Sequence, residues 1–208
     1  MNRIAALAVL IIGLFLMAAC SNPAADKSKA VTGEKAAVTP ATVAGEKYKI
    51  TPENSKIEFI GSKVTGSHNG SFQKFSGTID YAGAPEKSRV EISIETDSIN
   101  ADDAGLTKHL KTPDFFDVAK FPKASFVSTE IKVGGEKGAS HTITGNLELH
   151  GVTKAITFPA TITVSPAGVN VDSTFSINRK DFGINYAGAA DNLIRDEVVL
   201  KLTVRATK

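Results

Sequence analysis

The sequence predicts an all-β fold: an antiparallel, eight-stranded β-barrel with one or two short helices inserted. Three observations carry this. Apolar and polar residues alternate in about eight runs, the period of strands with one buried face. Clusters of Gly, Pro and Asn punctuate the runs and join them by short turns. Residues 106–126, LTKHLKTPDFFDVAKFPKASF, read as neither strand nor linker and hold four of the eleven phenylalanines. Those rings need a large apolar interior to enter, so the segment is expected to plug or lid a container made by the strands. Eight strands can close around side chains or one small ligand. A two-sheet sandwich would show the same alternation; the long hairpins and the inserted helix favour the barrel.

In chain order, residues 56–64 place Ile57, Phe59 and Gly61 on one face against Glu58 and Ile60. Residues 66–70, Gly-Ser-His-Asn-Gly, read as a turn or hairpin tip. Phe75, Gly77, Ile79 and Tyr81 share a face of the next strand, and Val90, Ile92 and Ile94 alternate with Glu91, Ser93 and Glu95 in the one after. Asp102 and Asp103 stand where a helix N-terminus favours negative charge, which predicts about two turns over residues 104–110. Pro113 forces Thr112 out of helical geometry and ends them. Strands follow at 124–133, 141–149, 155–164, 169–178 and 196–207, with a second irregular or short helical piece around Phe182. Pro159 marks an edge, a bend or a bulge. Val198, Leu200, Leu202 and Val204 face one way in the last strand.

The N-terminus speaks to location. Arg3 precedes an uncharged apolar run, residues 4–16, and Met17-Ala18-Ala19 leads into Cys20, the layout of a secretory signal. The run is short for a mature membrane span. Placed there, Cys20 resembles the acylation site of a bacterial lipobox, which implies cleavage before it, a diacylglyceryl thioether on it and, with Ser21 following, sorting to the outer membrane facing the periplasm. An ordinary signal peptide with a coincidental cysteine is the bland alternative. Residues 20–47 are rich in Ala, Lys, Thr, Gly and Pro and lack any aromatic until Tyr48, so they read as a flexible tether reaching about 30 Å. The folded domain is then residues 48–208, with ten of the eleven phenylalanines and all three tyrosines.

Charge and composition exclude several functions. Losing Arg3 with residues 1–19 lowers the formal net charge from +2 to +1, too near neutral for a nucleic-acid surface. Cys20 is the only cysteine, so disulfides and cysteine metal sites are not expected in the domain. His68, His109, His141 and His150 have no metal-ligand spacing, and neither a Gly-x-Ser-x-Gly elbow nor a phosphate loop occurs. No metal, cofactor or enzymatic activity is expected. Asp114 reads as a turn residue, Arg179 with Asp181 as a structural pair, and His109 as a residue that packs locally or offers one hydrogen bond at a barrel mouth.

Three stretches, taken together, resemble a known family. They are HLKTPDFFDVAKFPKASF from His109, TGNLELHGVTKAITFP from Thr144, and FSINRKDFGI from Phe175 followed by Asp196-Glu197-Val198. The set is similar to the YceI-like family of bacterial periplasmic proteins. The resemblance covers nearly the whole domain and leaves out the lipobox and tether. It implies a lipocalin-like barrel holding a long amphiphile such as a polyisoprenoid or an isoprenoid quinone, and brings no catalytic motif. The implied cavity candidates on strands are Phe59, Phe75, Ile79, Ile92, Ile94 and Leu200. Leu106, Leu110, Phe115, Phe116 and Phe126 come from the phenylalanine-rich segment, and Phe175, Phe182 and Ile184 from the third motif. His109 is the candidate headgroup contact. The expected partners are the lipid and the membrane reached through Cys20, and a homodimer is left open. Burying ten methylenes gains roughly 8 kcal/mol against an association cost of about 4 kcal/mol or more, so a tail of that length needs no charged clamp. An envelope-stress interaction protein with a filled barrel is the competing reading, and a lipid-modifying enzyme a third.

Overall fold

Side chains that alternate in the sequence do so around a curled antiparallel sheet. The structure is a computed structural model that describes residues 22–38, 45–190 and 192–208; residues 1–19, read above as a signal peptide, and Cys20 lie outside these. The strands are β1 Ser28–Lys29, β2 Val31–Gly33, β3 Glu46–Ile50, β4 Lys56–Lys63, β5 Gly66–Phe72, β6 Phe75–Tyr81, β7 Arg89–Glu95 and β8 Ile99–Ala101. After the helix α1, Ala104–Leu110, come β9 Lys123–Val133, β10 His141–Leu149, β11 Val152–Ser165, β12 Gly168–Asn178, the short pair β13 Gly188–Ala189 and β14 Asn192–Leu193, and β15 Glu197–Ala206. The sheet runs β3-β6-β7-β9-β10-β11-β12-β15-β4-β5-β8. Its ends are drawn together by the bridge Lys49–Thr207 and by the corners, where Gln73 N–H donates to Ser98 O and Glu95 N–H to Lys74 O.

The expected barrel is there, with more strands than eight. Residues 66–70 are not a hairpin tip but part of β5, paired residue by residue with β4. Gly70 has no side chain because the Phe59 ring lies on it: a Cβ there would come within 2.2 Å of the ring. Glycine in this strand marks a close approach. The strand β3 begins before the expected domain boundary.

The larger correction concerns residues 22–38, read from composition as part of a flexible tether. Residues 28–33 among them are built into the wall. β1 pairs parallel with β12, Ser28 opposite Phe175, and β2 pairs antiparallel with β11, Val31 opposite Thr157. Ser28 and Ala30 are buried while Lys29 and Val31 face solvent, a strand alternation written in residues too small to show it by hydropathy.

The helix occupies the residues read from the sequence. The Asp103 carboxylate accepts the Leu106 N–H at 2.6 Å, satisfying one of the orphan donors of the first turn. Beyond it the chain turns through Asp117, at φ 44, and Phe121 lands against His150, ring centroids 4.7 Å apart. The buried Thr96 fixes the return: its hydroxyl donates to Phe121 O and its N–H to Pro122 O. His150 and Gly151, both at positive φ, form the tight turn between β10 and β11.

β10 carries a register shift between Thr144 and Gly145 against β9, and a Cβ at Gly145 would lie 2.3 Å from the Phe126 ring. Gly145→Ala is expected to lower the unfolding free energy by about 1–3 kcal/mol through overpacking, measured by chemical denaturation, with the far-UV spectrum of the native state unchanged.

Candidate functional site

Nine strands of this wall turn apolar side chains onto one void. It has a volume of about 200 Å³, and only carbon faces it. Ile57 and Phe59 of β4, Val90, Ile92 and Ile94 of β7, Phe175 and Ile177 of β12 and the row Val198, Leu200, Leu202 and Val204 of β15 are in its lining. The helix and its exit close one end with Leu110, Phe115 and Phe116, and Phe116 meets Phe72 edge-on at 5.7 Å. On the opposite wall Phe158 and Phe175 stack in parallel, centroids 4.2 Å apart. An apolar cavity of this kind stays free of water.

A second space of about 520 Å³ adjoins the helix end. Phe59, Gly61, Leu110, Phe115 and Ile194 line both spaces, so the void and this vestibule adjoin at an apolar neck. The vestibule is polar at its rim, with Lys63, His68, Asp103, His109, Tyr186 and Asn192. His109 Nε2 lies 2.8 Å from the Asp114 carboxylate, and its ring is edge-on to Phe115 and Tyr186. His68 Nδ1 lies 2.8 Å from Asp102, whose other oxygen accepts the Asn69 N–H at 2.7 Å. That backbone donor, helped by His68, holds the Asp102 carboxyl below the usual aspartate range. The Asp102 contacts tie the helix N-terminus to β5, while the His109 contact braces the helix against its own exit.

Most of the expected residues meet here. Phe59, Ile79, Ile92, Ile94, Phe126, Phe175, Ile184 and Leu200 line the void, as do Leu110, Phe115 and Phe116. Leu106 and His109 stand in the vestibule. Two do not reach either space. Phe75 and Phe182 are buried, Phe182 completely, and pack within the apolar core. The sequence reading also passed over Leu147, Leu149, Phe158, Val171 and Ile194, all in the lining. Leu147, Leu149 and Phe158 sit in stretches quoted for the resemblance, and their alternation was the available signal.

Arg179 is the one ionisable residue in the cavity wall and is only 4% exposed. Its polar atoms turn outward to the loop between β12 and β15. Nε donates to Arg195 O at 3.1 Å, one terminal nitrogen to Ile184 O at 2.7 Å, and the other to Ile194 O at 3.4 Å. Burial lowers its pKa, opposed by Asp196, and a guanidinium stays charged regardless. The ion partner is Asp196 at 3.5 Å, not Asp181. The fork thus fixes the loop that carries Ile184, Tyr186 and Ile194 to the neck.

Among the described residues, no group of three His, Cys, Asp or Glu could hold a metal ion.

A lipocalin-like barrel with a closed apolar interior and a polar vestibule defines a class of protein, and relatives place the chain within it. It belongs to the YceI-like family: the YceI-like domain matches residues 48–206. A UPF0312 protein of Pseudomonas putida strain W619 is 37% identical over 162 residues, covering 71% of this chain and 81% of that protein. A second, from Pseudomonas syringae pv. tomato, is 39% identical over 142 residues, 64% of this chain and 70% of its own length. Two solved structures share the fold. BcnA of Burkholderia cenocepacia superposes with a TM-score of 0.64 at 22% identity, over 76% of this chain and 99% of its own. A polyisoprenoid-binding domain from Saccharophagus degradans, implicated in plant cell wall breakdown, gives 0.61 at 18%, over 77% and 97%.

Arg179→Met is expected to leave the carbonyls of Ile184, Ile194 and Arg195 without their donor and to cost about 3 kcal/mol of stability. Arg179→Lys should recover little, since an ammonium cannot reproduce the planar fork. Thermal unfolding of the three proteins checks this.

Proposed function

We propose that this protein binds a long-chain amphiphile, a polyisoprenoid, isoprenoid quinone or similar lipid, with its hydrocarbon tail in the barrel and its headgroup in the vestibule. The observation that carries the reading is the carbon-only void adjoining, at one apolar neck, a vestibule with a polar rim. Every methylene that enters gains about 0.8 kcal/mol, and the vestibule falls within the size range of small-molecule sites. Lys63, His68, His109 and Tyr186 there offer donors to a hydroxyl, carbonyl or phosphate. The polyisoprenoid-binding neighbour, alike in fold, accords with this chemistry. Binding rather than catalysis suits a cavity without a polar group, because an acid or base must reach the reacting atoms.

On this reading the protein works in the cell envelope. Acylation of Cys20 would anchor it, in the outer membrane facing the periplasm. Because residues 28–33 are part of the wall rather than loose chain and the described chain begins at Asn22, only Ser21 would lie between it and the acylated Cys20, two residue steps that span at most about 7 Å. The anchor then holds the barrel against the lipid surface from which its cargo comes.

Gly61 offers a direct test. It lines the neck, and a Cβ there meets nothing within 4 Å, so a side chain can leave the backbone there without an immediate clash. Gly61→Phe is expected to fold as stably as the parent yet lose at least tenfold in affinity for an isoprenoid quinone. Organic extraction of the parent followed by mass spectrometry should return a hydrophobic molecule in near-stoichiometric amount. A parent protein that carries no lipid and takes up no isoprenoid after delipidation would defeat the reading.

A further inference from the structure

The wall has a slit that its own N-terminal segment fills. β11 and β12 leave their turn as a ladder, but the pairing ends at Thr161 opposite Asp172. The next rung would need Pro159, which has no N–H to give, and its carbonyl accepts the Ser173 hydroxyl instead. From there the two strands part. β12 is occupied along its other edge by β15, and β11 by β10, so the strand that pairs with β12 at Phe175 and with β11 at Thr157 can only lie between them. That strand is residues 28–33. Behind it stand Ile156, Phe158, Phe175 and Ile177, all lining the cavity.

The filler is poorly suited to be permanent wall. Its inward side chains are Ser28, Ala30 and Thr32, too small to interlock with the rings behind them, and the Ser28 hydroxyl is buried with no hydrogen-bond partner. Val31 is 70% exposed. The segment pairs over only two residues with β12 and three with β11. What pins it is polar: Lys29 pairs with Glu197 at 3.4 Å and the Ala30 N–H donates to Ser176 O, while beyond the slit Ala36 exchanges two hydrogen bonds of 2.8 Å with the Asn146 side chain and Glu34 pairs with Lys154 at 2.9 Å.

We propose that residues 28–33 are a displaceable strap over a lateral entrance, and that a hydrocarbon chain enters the barrel sideways between β11 and β12 when the strap lifts. The residues behind the strap, Ile156, Phe158, Phe175 and Ile177, are all apolar, so a chain can slide in tail and flank together, whereas the neck would require it to thread end-on past Phe59, Leu110 and Phe115. Asn146 is the latch. This rests on the lipid-binding reading for its ligand, and on the wall geometry alone for its opening.

A cross-link separates the two. Gly33 and Ala155 are opposite one another, neither lines the cavity, and a side chain at Gly33 meets nothing within 4 Å. In full-length protein carrying Cys20→Ser, Gly33→Cys with Ala155→Cys gives a strap that oxidation locks and reduction frees. Uptake of a fluorescent polyene fatty acid, followed by stopped flow, is expected to slow at least tenfold when locked and recover on reduction, at unchanged equilibrium affinity. Asn146→Ala is expected to load several-fold faster than the parent. Equal uptake rates locked and reduced would overturn the entrance while leaving lipid binding intact. Failure of every form to bind the probe or an isoprenoid quinone would overturn the function and the entrance together. Opening is read without any lipid by amide exchange: the Ala30 N–H, bonded to Ser176 O, is expected to exchange at least tenfold faster than the ladder amides of β12 and β15. Exchange as slow as that ladder's would show the strap to be fixed wall.

Discussion

A sheet that encloses an empty apolar space must leave no backbone edge unpaired, because an unbonded N–H or C=O in the wall would face either hydrocarbon or another molecule's strand. That constraint explains the odd features of this chain. The corners at Gln73–Lys74 and Glu95–Ser98 bond to each other where the strands change direction. The bridge from Lys49 to Thr207 joins the first long strand to the last. Where Pro159 stops the β11–β12 ladder, a segment from far upstream supplies the missing strand. Arg179 extends the same accounting to the rim, giving donors to three carbonyls that the loop's irregular path leaves without strand partners.

What the sequence revealed followed from how much hydropathy contrast each strand carries. β15 and β7 alternate Val, Leu and Ile with charged or hydroxyl residues, and their inward rows are those that line the void. α1 was legible because a capping aspartate and a following proline bracket it. β5 was not, since Gly66-Ser67-His68-Asn69-Gly70 has no apolar row; its value lies in letting the Phe59 ring rest on bare backbone. The strap was hidden for a related reason. Serine, alanine and threonine face inward there because the slit is narrow and already floored by Phe158 and Phe175, and small residues read as linker.

The errors over Phe75, Phe182 and Arg179 are of another kind. Alternation tells which face a residue takes but not its height along the barrel, so Phe75 takes the inward face of its strand and still misses the void, while Phe182, chosen from the third motif, lies in a 3₁₀ turn that buries it in the core. Arg179 was paired with Asp181 on proximity in sequence, whereas the two-residue offset within a tight 3₁₀ turn, Arg179–Phe182, points them apart. The partner comes from the chain's return into β15 at Asp196, a contact that only closure of the wall creates.

An empty cavity is also a cost. Its lining lacks dispersion partners on one side, and voids in protein cores lower stability in proportion to their volume. Positions for larger side chains were available: Gly61 and Ala124 both lie in its lining, and a Cβ at Gly61 would meet no neighbour within 4 Å. A chain selected only for a stable filled barrel would have little reason to keep glycine there. Retaining the space while bracing the rim with a buried guanidinium is the arrangement of a wall held open for something else to occupy. An occupant made of hydrocarbon would restore the missing contacts, so the stability withheld from the empty form becomes part of the affinity for the ligand.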